Sequence, residues 1–143
     1  MHDAISVEKV AIVLAAGLAS GDGANVAACI AAGLHNEQAS WAGRTLVDRD
    51  GFASSASSHL PIVVLEADEE RMSGLLQRMV ATPRPEGGTV TLFPAYAKDI
   101  HSAEAYWQRH GTLSHCNESM FGIGVAGPKR WVNRLVGSLP LKR

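Results

Sequence analysis

Lys9-Val-Ala-Ile-Val-Leu-Ala-Ala-Gly-Leu-Ala-Ser-Gly-Asp-Gly-Ala-Asn-Val-Ala-Ala-Cys-Ile-Ala-Ala-Gly-Leu34 reads as strand, loop and helix, and the rest of the chain is organised around it. Val10 to Leu14 is a short unbroken apolar run containing β-branched Ile12 and Val13. Such a run, too short for a buried helix and bounded by glycine, fits a strand covered on both faces in a parallel or mixed sheet. Asn25 to Leu34 is rich in alanine, the best helix former, and its small side chains let a helix lie flat and close on that sheet. Ser20 or Asp22 is expected to cap the helix, and Gly33 to end it.

Working outward, His35 to Ser40 is a polar connection and Trp41 to Gly51 a loop in which Thr45 to Val47 forms a short strand or extended segment before the Asp50-Gly51 turn. Phe52 to Ser58, rich in Ser and Ala without periodicity, reads as a surface loop. Leu60 to Leu65 is a second apolar strand with Pro61 at its start. Asp68 opens a helix over Glu69 to Val80, with acids in the first turn and Met72, Leu75, Leu76 and Met79 at helical spacing. Thr89 to Phe93 is a third strand stopped by Pro94, and Ser102 caps a helix to about Arg109 that packs through Ala103, Tyr106 and Trp107. Phe121 to Ala126 is a glycine-rich fourth strand. After the Gly127-Pro128 turn, Lys129 to Val136 is an amphipathic helix with Trp131, Val132 and Leu135 inward and Gly137 as its stop.

At 143 residues with 46% hydrophobic side chains, the chain has the material for one core, so residues 1–143 are expected to form a single α/β domain. A formal net charge of -1 gives no global attraction to nucleic acid or anionic membrane, and neither is an expected partner. Cys29 and Cys116 do not make a disulfide framework, and the first nine residues lack a signal-peptide pattern. No apolar run is long enough to span a bilayer, and a cytoplasmic location is expected.

Gly21-Asp-Gly-Ala-Asn25 invites comparison with dinucleotide-binding loops, but Val26 stands where the third glycine belongs and Asp22 places a negative charge where a pyrophosphate would sit. There is no Gly-Lys-Ser/Thr phosphate loop. His110, His115 and Cys116 are a near-cluster whose spacing matches no common metal motif, and Asp99 and His101 face apart if extended. The serines of Ser54 to Ser58 show no nucleophile elbow. No metal or cofactor is expected, and catalytic residues are left unassigned.

Lys9 to Ala32 resembles the opening of the archaeal/eukaryotic type of peptidyl-tRNA hydrolase: an apolar strand, Gly-x-Gly, then an Ala-rich helix. Gly122-Ile-Gly-Val-Ala-Gly-Pro128 through Val132-Asn-Arg-Leu-Val-Gly-Ser-Leu-Pro-Leu141 is similar to that family's closing strand, turn, helix and ending. An uncharacterised family sharing the fold is more similar still, through Ala42-Gly-Arg-Thr-Leu-Val-Asp-Arg-Asp-Gly51 before Pro61-Ile62. The resemblance implies a three-layer sandwich, a four-stranded mixed sheet with helices on both faces, and a homodimer. In the hydrolase, lysines flank the second glycine and the helix carries a Gln and a His; the matching positions here are Asp22 and Ala24, then Ala28 and Ala31.

The functional expectation is a peptidyl-tRNA hydrolase-like domain without the hydrolase lysines. It binds a small molecule or partner in a cleft where the Gly21 to Asn25 loop meets Trp41 to Gly51. The candidate ligand-binding residues are Gly21, Asp22, Gly23, Asn25, Asp48 and Asp50. Two alternatives stand beside it: a hydrolase for a peptidyl-tRNA-like or other ester, and a structural homo-oligomeric domain.

Overall fold

The computed structural model describes residues 7–35 and 41–143. The expected N-terminal segment through residue 6 and most of the His35 to Ser40 connection therefore lie outside the described residues. Strand β1 (Lys9–Ala15) leads into helix α1 (Ser20–Leu34), a hairpin of β2 (Thr45–Val47) and β3 (Ala53–Ser55), and β4 (Ile62–Ala67). Then follow α2 (Glu69–Ala81), β5 (Thr89–Pro94), a 3-10 turn over Ala95–Asp99, α3 (Ala103–Gly111), a second 3-10 turn over His115–Asn117, β6 (Met120–Gly127) and α4 (Lys129–Val136).

The main sheet has the order β4-β1-β6-β5. β1 runs parallel to β4, with Val10 opposite Ile62, and antiparallel to β6, with Ile12 opposite Gly124. β5 pairs antiparallel with β6, so the sheet is mixed, as the sequence suggests. β1 is central and apolar from Val10 onward because each of its faces meets helices. Val10, Ile12 and Leu14 pack with Val26, Ile30 and Leu34 of α1 on one face. On the other face, Ala11 and Val13 pack with Met72, Leu75 and Leu76 of α2 and Trp131, Val132, Leu135 and Val136 of α4.

The way α1 rests on the sheet is decided by glycines. A Cβ on Gly122 would come within 2.6 Å of Ile30 Cδ1 and 2.8 Å of Val26 Cγ1, and one on Gly124 would overlap Ile30 and press Leu34. The bare strand surface is what admits the branched side chains of the helix. Gly33 works the same way and corrects its expected role. It lies inside the helix, where a Cβ would meet the Thr91 side chain at 2.8 Å, and the helix instead ends at His35, whose N–H donates to Ala31 O. Nor do Ser20 and Asp22 cap α1. The capping position is Ala19, which has no side-chain oxygen, and the other two lie in the first helical turn.

Asp68 caps α2 as its position suggests, accepting from Arg71 N–H at 2.8 Å, and Ser102 caps α3 by accepting from Ala105 N–H at 3.3 Å. Gly137 is the C-terminal cap of α4. The free edge of β4 is covered by the chain end: Glu66 N–H donates to Pro140 O and Lys142 N–H to Val64 O, both at 2.9 Å. Lys142 and Glu66 close the same contact with a 2.9 Å ion pair. Covering an edge strand removes a template for unwanted strand pairing. Two further expectations are corrected. Part of the expected Phe52 to Ser58 loop is strand β3, paired with β2 from Thr45 opposite Ser55 to Val47 opposite Ala53. Trp107 is 69% exposed rather than packed. No described helix is long and apolar enough to cross a membrane.

Candidate functional site

Helix periodicity aligns Asp22, Asn25, Val26, Cys29 and Ile30 on one side of α1. That side faces Thr91, Leu92 and Phe93 of β5, Phe121 of β6, and the stretch from Ala97 to Tyr106, and between them lies a cavity of about 600 Å³. The gap has a local cause. The β5–β6 register shifts between Phe93 and Pro94, the chain leaves the sheet through the 3-10 turn, and α3 buries no residue fully, so this wall stands off α1 rather than sealing on it. Phe93 and Phe121, stacked with ring centroids 6.4 Å apart, form part of the apolar lining.

Polar groups gather at the rim. Lys98 Nζ lies 3.9 Å from an Asp22 carboxylate oxygen, with both side chains more than half exposed, so the pair is loose and screened by solvent. Asn25, His101 and Ser102 also line the cavity. An apolar body with a few polar groups at one side, in a volume between about 300 and 1,000 Å³, is what small-molecule sites have in common.

Of the six candidates, the structure brings Asp22 and Asn25 together at this cavity. Gly21 lies one residue before Asp22 with open space where a side chain would be, whereas Gly23 is buried on the sheet-facing side of α1 against Leu14. The positive φ of the β1–α1 connection belongs to Gly17, at +87°, before the Gly-x-Gly. Asp48 and Asp50 are elsewhere in function. One Asp48 carboxylate oxygen accepts from the N–H groups of Asp50 at 2.8 Å and Phe52 at 3.0 Å, fixing the hairpin turn. Asp50 sits beside Arg49 at 3.8 Å on the exposed turn. No residue from 41 to 51 lines the cavity. The carboxylate that reads as a ligand group in sequence is occupied with its own turn, as Asp commonly is.

Beside the cavity, the structure joins Tyr96 and Tyr106 to His110 and His115, the two histidines of the near-cluster seen in the sequence. Tyr96 Oη and His115 Nε2 share a 2.7 Å hydrogen bond. The His110 and His115 rings are 4.0 Å apart, and Tyr106 lies 6.2 Å from Tyr96 and 5.9 Å from His110. The Arg109 guanidinium sits 5.0 Å over the Tyr96 ring. Burial, and then the neighbouring His110, push the His115 pKa down, against an opposing pull from Glu118. Burial raises both phenols, and for Tyr96 the Tyr106 and Glu118 side chains add to it while Arg109 opposes. Tyr106 is the link, since it also lines the cavity. Its position on an apolar helical face was legible; what that face meets was not, because the partners come from the two 3-10 turns.

A second cavity, about 850 Å³, lies where β1 ends and α2 begins, lined by Ala15, Glu69, Glu70, Ser73, Cys116, Glu118 and Ser119 among others. Ser119 Oγ donates to Glu69 Oε1 at 3.0 Å. Its lining is mixed, with Met72, Met120 and Phe121 beside the acids Glu69, Glu70 and Glu118. Among the described residues no group of three or more His, Cys, Asp or Glu side chains is placed to hold a metal ion.

The family model described as a protein of unknown function, DUF2000, matches residues 8–143, and the chain belongs to that family. A solved structure of a protein of unknown function from Agrobacterium tumefaciens strain C58 superimposes with a TM-score of 0.81 at 21% identity, covering 94% of this chain and 97% of that one. That likeness extends to the fold. No curated protein matches the chain.

Proposed function

We propose that the cavity between α1 and β5 binds a small molecule with an apolar body and one polar or charged end. The observation that carries this reading is the lining itself: an apolar interior of ligand size with Asn25 and the loose Asp22–Lys98 pair at its rim. Asn25 supplies both a donor and an acceptor. A charged ligand end competes with one member of an exposed ion pair that is worth about 1 kcal/mol or less, so opening it costs little.

The scaffold is read as peptidyl-tRNA hydrolase-like, with that chemistry absent. Where the resemblance calls for two lysines the chain has Asp22 and Ala24, and Ala28 and Ala31 offer no group for proton transfer or for polarising an ester. Loss of such groups removes several kcal/mol of transition-state stabilisation, on the order of 3 for each oxyanion donor. Assays with peptidyl-tRNA are expected to give no turnover, and turnover that disappears in Asn25→Ala would overturn this part of the reading.

The binding reading is tested by a thermal-shift screen of small aromatic and aliphatic acids, amines and neutral compounds. A ligand at about a hundred times its dissociation constant adds about 2.7 kcal/mol, which raises the melting temperature by several degrees. Hits are expected from compounds with one polar end, and they are expected to disappear in Cys29→Trp, which places an indole in the cavity. An empty screen on folded protein, or hits indifferent to Cys29→Trp, would count against it.

A second reading, an assembly role, is favoured by the hairpin. Leu46, Val47 and Phe52 are 48%, 64% and 71% exposed on a two-stranded unit whose strands pair only with each other. Isolated two-stranded hairpins are marginal in water. On this reading a second copy of the chain covers the hairpin to make a homodimer. Sedimentation should then show a dimer that Phe52→Asp dissociates; a monomer at micromolar concentration removes the reading.

A further inference from the structure

Helix α3 is held in an unusual way for a wall of a cavity. Every one of its side chains is exposed except the half-buried Tyr106, and none is fully buried. Tyr106 and His110 lie four residues apart, on one face, and that face meets Tyr96 of the first 3-10 turn and His115 of the second. The contact between the two histidine rings is close, 4.0 Å between centroids with planes inclined by 32°.

We propose that α3 is a pH-sensitive latch on the cavity, closed while His110 and His115 are neutral and released when the pair takes up protons. Two imidazolium rings at this separation repel, and a third positive group, Arg109, is already drawn over Tyr96. Glu118 is the acid whose charge acts on this group from the β6 side, and the Tyr96 and Tyr106 phenols carry no charge at neutral pH. A neutral imidazole also keeps an acceptor nitrogen for the Tyr96 hydroxyl, whereas an imidazolium has none. The latch bears on the cavity because Ala103 and Tyr106 of α3 line it, so releasing the helix removes part of the wall. Its relevance to ligand entry rests on the binding reading above; the latch itself does not.

The sign follows from linkage. His115 in place sits below its ordinary 6.5, held down by burial and by His110, so it binds a proton more tightly once α3 has moved away. The latch is therefore fully closed above about pH 6.5 and weakens as pH falls through and below it. Glu118 limits the effect without reversing it.

Amide hydrogen exchange of the full chain without any ligand tests this, between about pH 7.5 and about pH 5.5 to bracket the ordinary histidine value. After correction for intrinsic exchange, protection of the 103–111 amides is expected to fall by up to about tenfold for each proton taken up, the most that one histidine contributes over the pH unit below its ordinary value. The β1 and β6 amides should change little. In the double variant His110→Gln, His115→Gln the α3 amides should lose that pH dependence. Wild-type α3 protection that stays parallel to the β1 and β6 amides across the range, or an unchanged pH dependence in the double variant, would overturn the proposal. Because no ligand is present, this result is independent of whether the cavity binds anything.

Discussion

Asp48 and Asp22 show how much a carboxylate's meaning depends on what lies within hydrogen-bonding distance. Asp48 accepts from two amides of its own turn, so Asp48→Ala is expected to destabilise the hairpin by about 1 kcal/mol, the net value of such hydrogen bonds. The loss should appear as faster amide exchange at Asp50 and Phe52, with ligand binding at the cavity unchanged. Asp68 is a helix cap of the same kind, and Asp68→Ala should cost about 1 kcal/mol of global stability in urea titration. At Asp22 the neighbour is Lys98 rather than an amide. Asp22→Asn should hardly change stability, the pair being exposed, while altering which charged compounds bind.

At the scale of elements, the firmest prediction concerns the contact between α1 and β6. Gly124→Ala sets a methyl against Ile30 and Leu34 and should cost about 1 to 3 kcal/mol, read as a lower urea midpoint with an unchanged slope. This is also where sequence reading succeeded and then stopped. The glycines of Phe121 to Ala126 announced a close approach by a neighbour, and β1, α2, β5 and α4 were legible because apolar periodicity and local caps act within a few residues. Gly33 looked like a helix end because its partner, Thr91, is remote in sequence. The pairing of Ala53–Ser55 was invisible because neither β2 nor β3 buries a face, leaving no alternation to read. Likewise the cavity owes its far wall to the Ala97 to Tyr106 stretch. Asp22 and Asn25 could be nominated from the helix, but Lys98 and Tyr106 are brought to them only by the turn of the chain after Pro94, and Phe121 by strand β6.

For the whole molecule, the division of labour is between a rigid sheet and an adjustable wall. β1 and β6 lie at the centre of the sheet and are buried almost throughout, whereas α3 and the turns beside it are carried on ring contacts and solvent-facing residues. Segments with few buried contacts open at lower free energy than the core, which places adjustability next to the proposed binding site. The most direct test of the central claim, that the α1–β5 cavity is the ligand site, is a fluorescence titration with 1-anilinonaphthalene-8-sulfonate, an apolar aromatic body with one anionic end. Saturable binding by the folded wild type that is lost in Cys29→Trp is the expected result. Absence of saturable binding, or equal binding by Cys29→Trp, would contradict the claim.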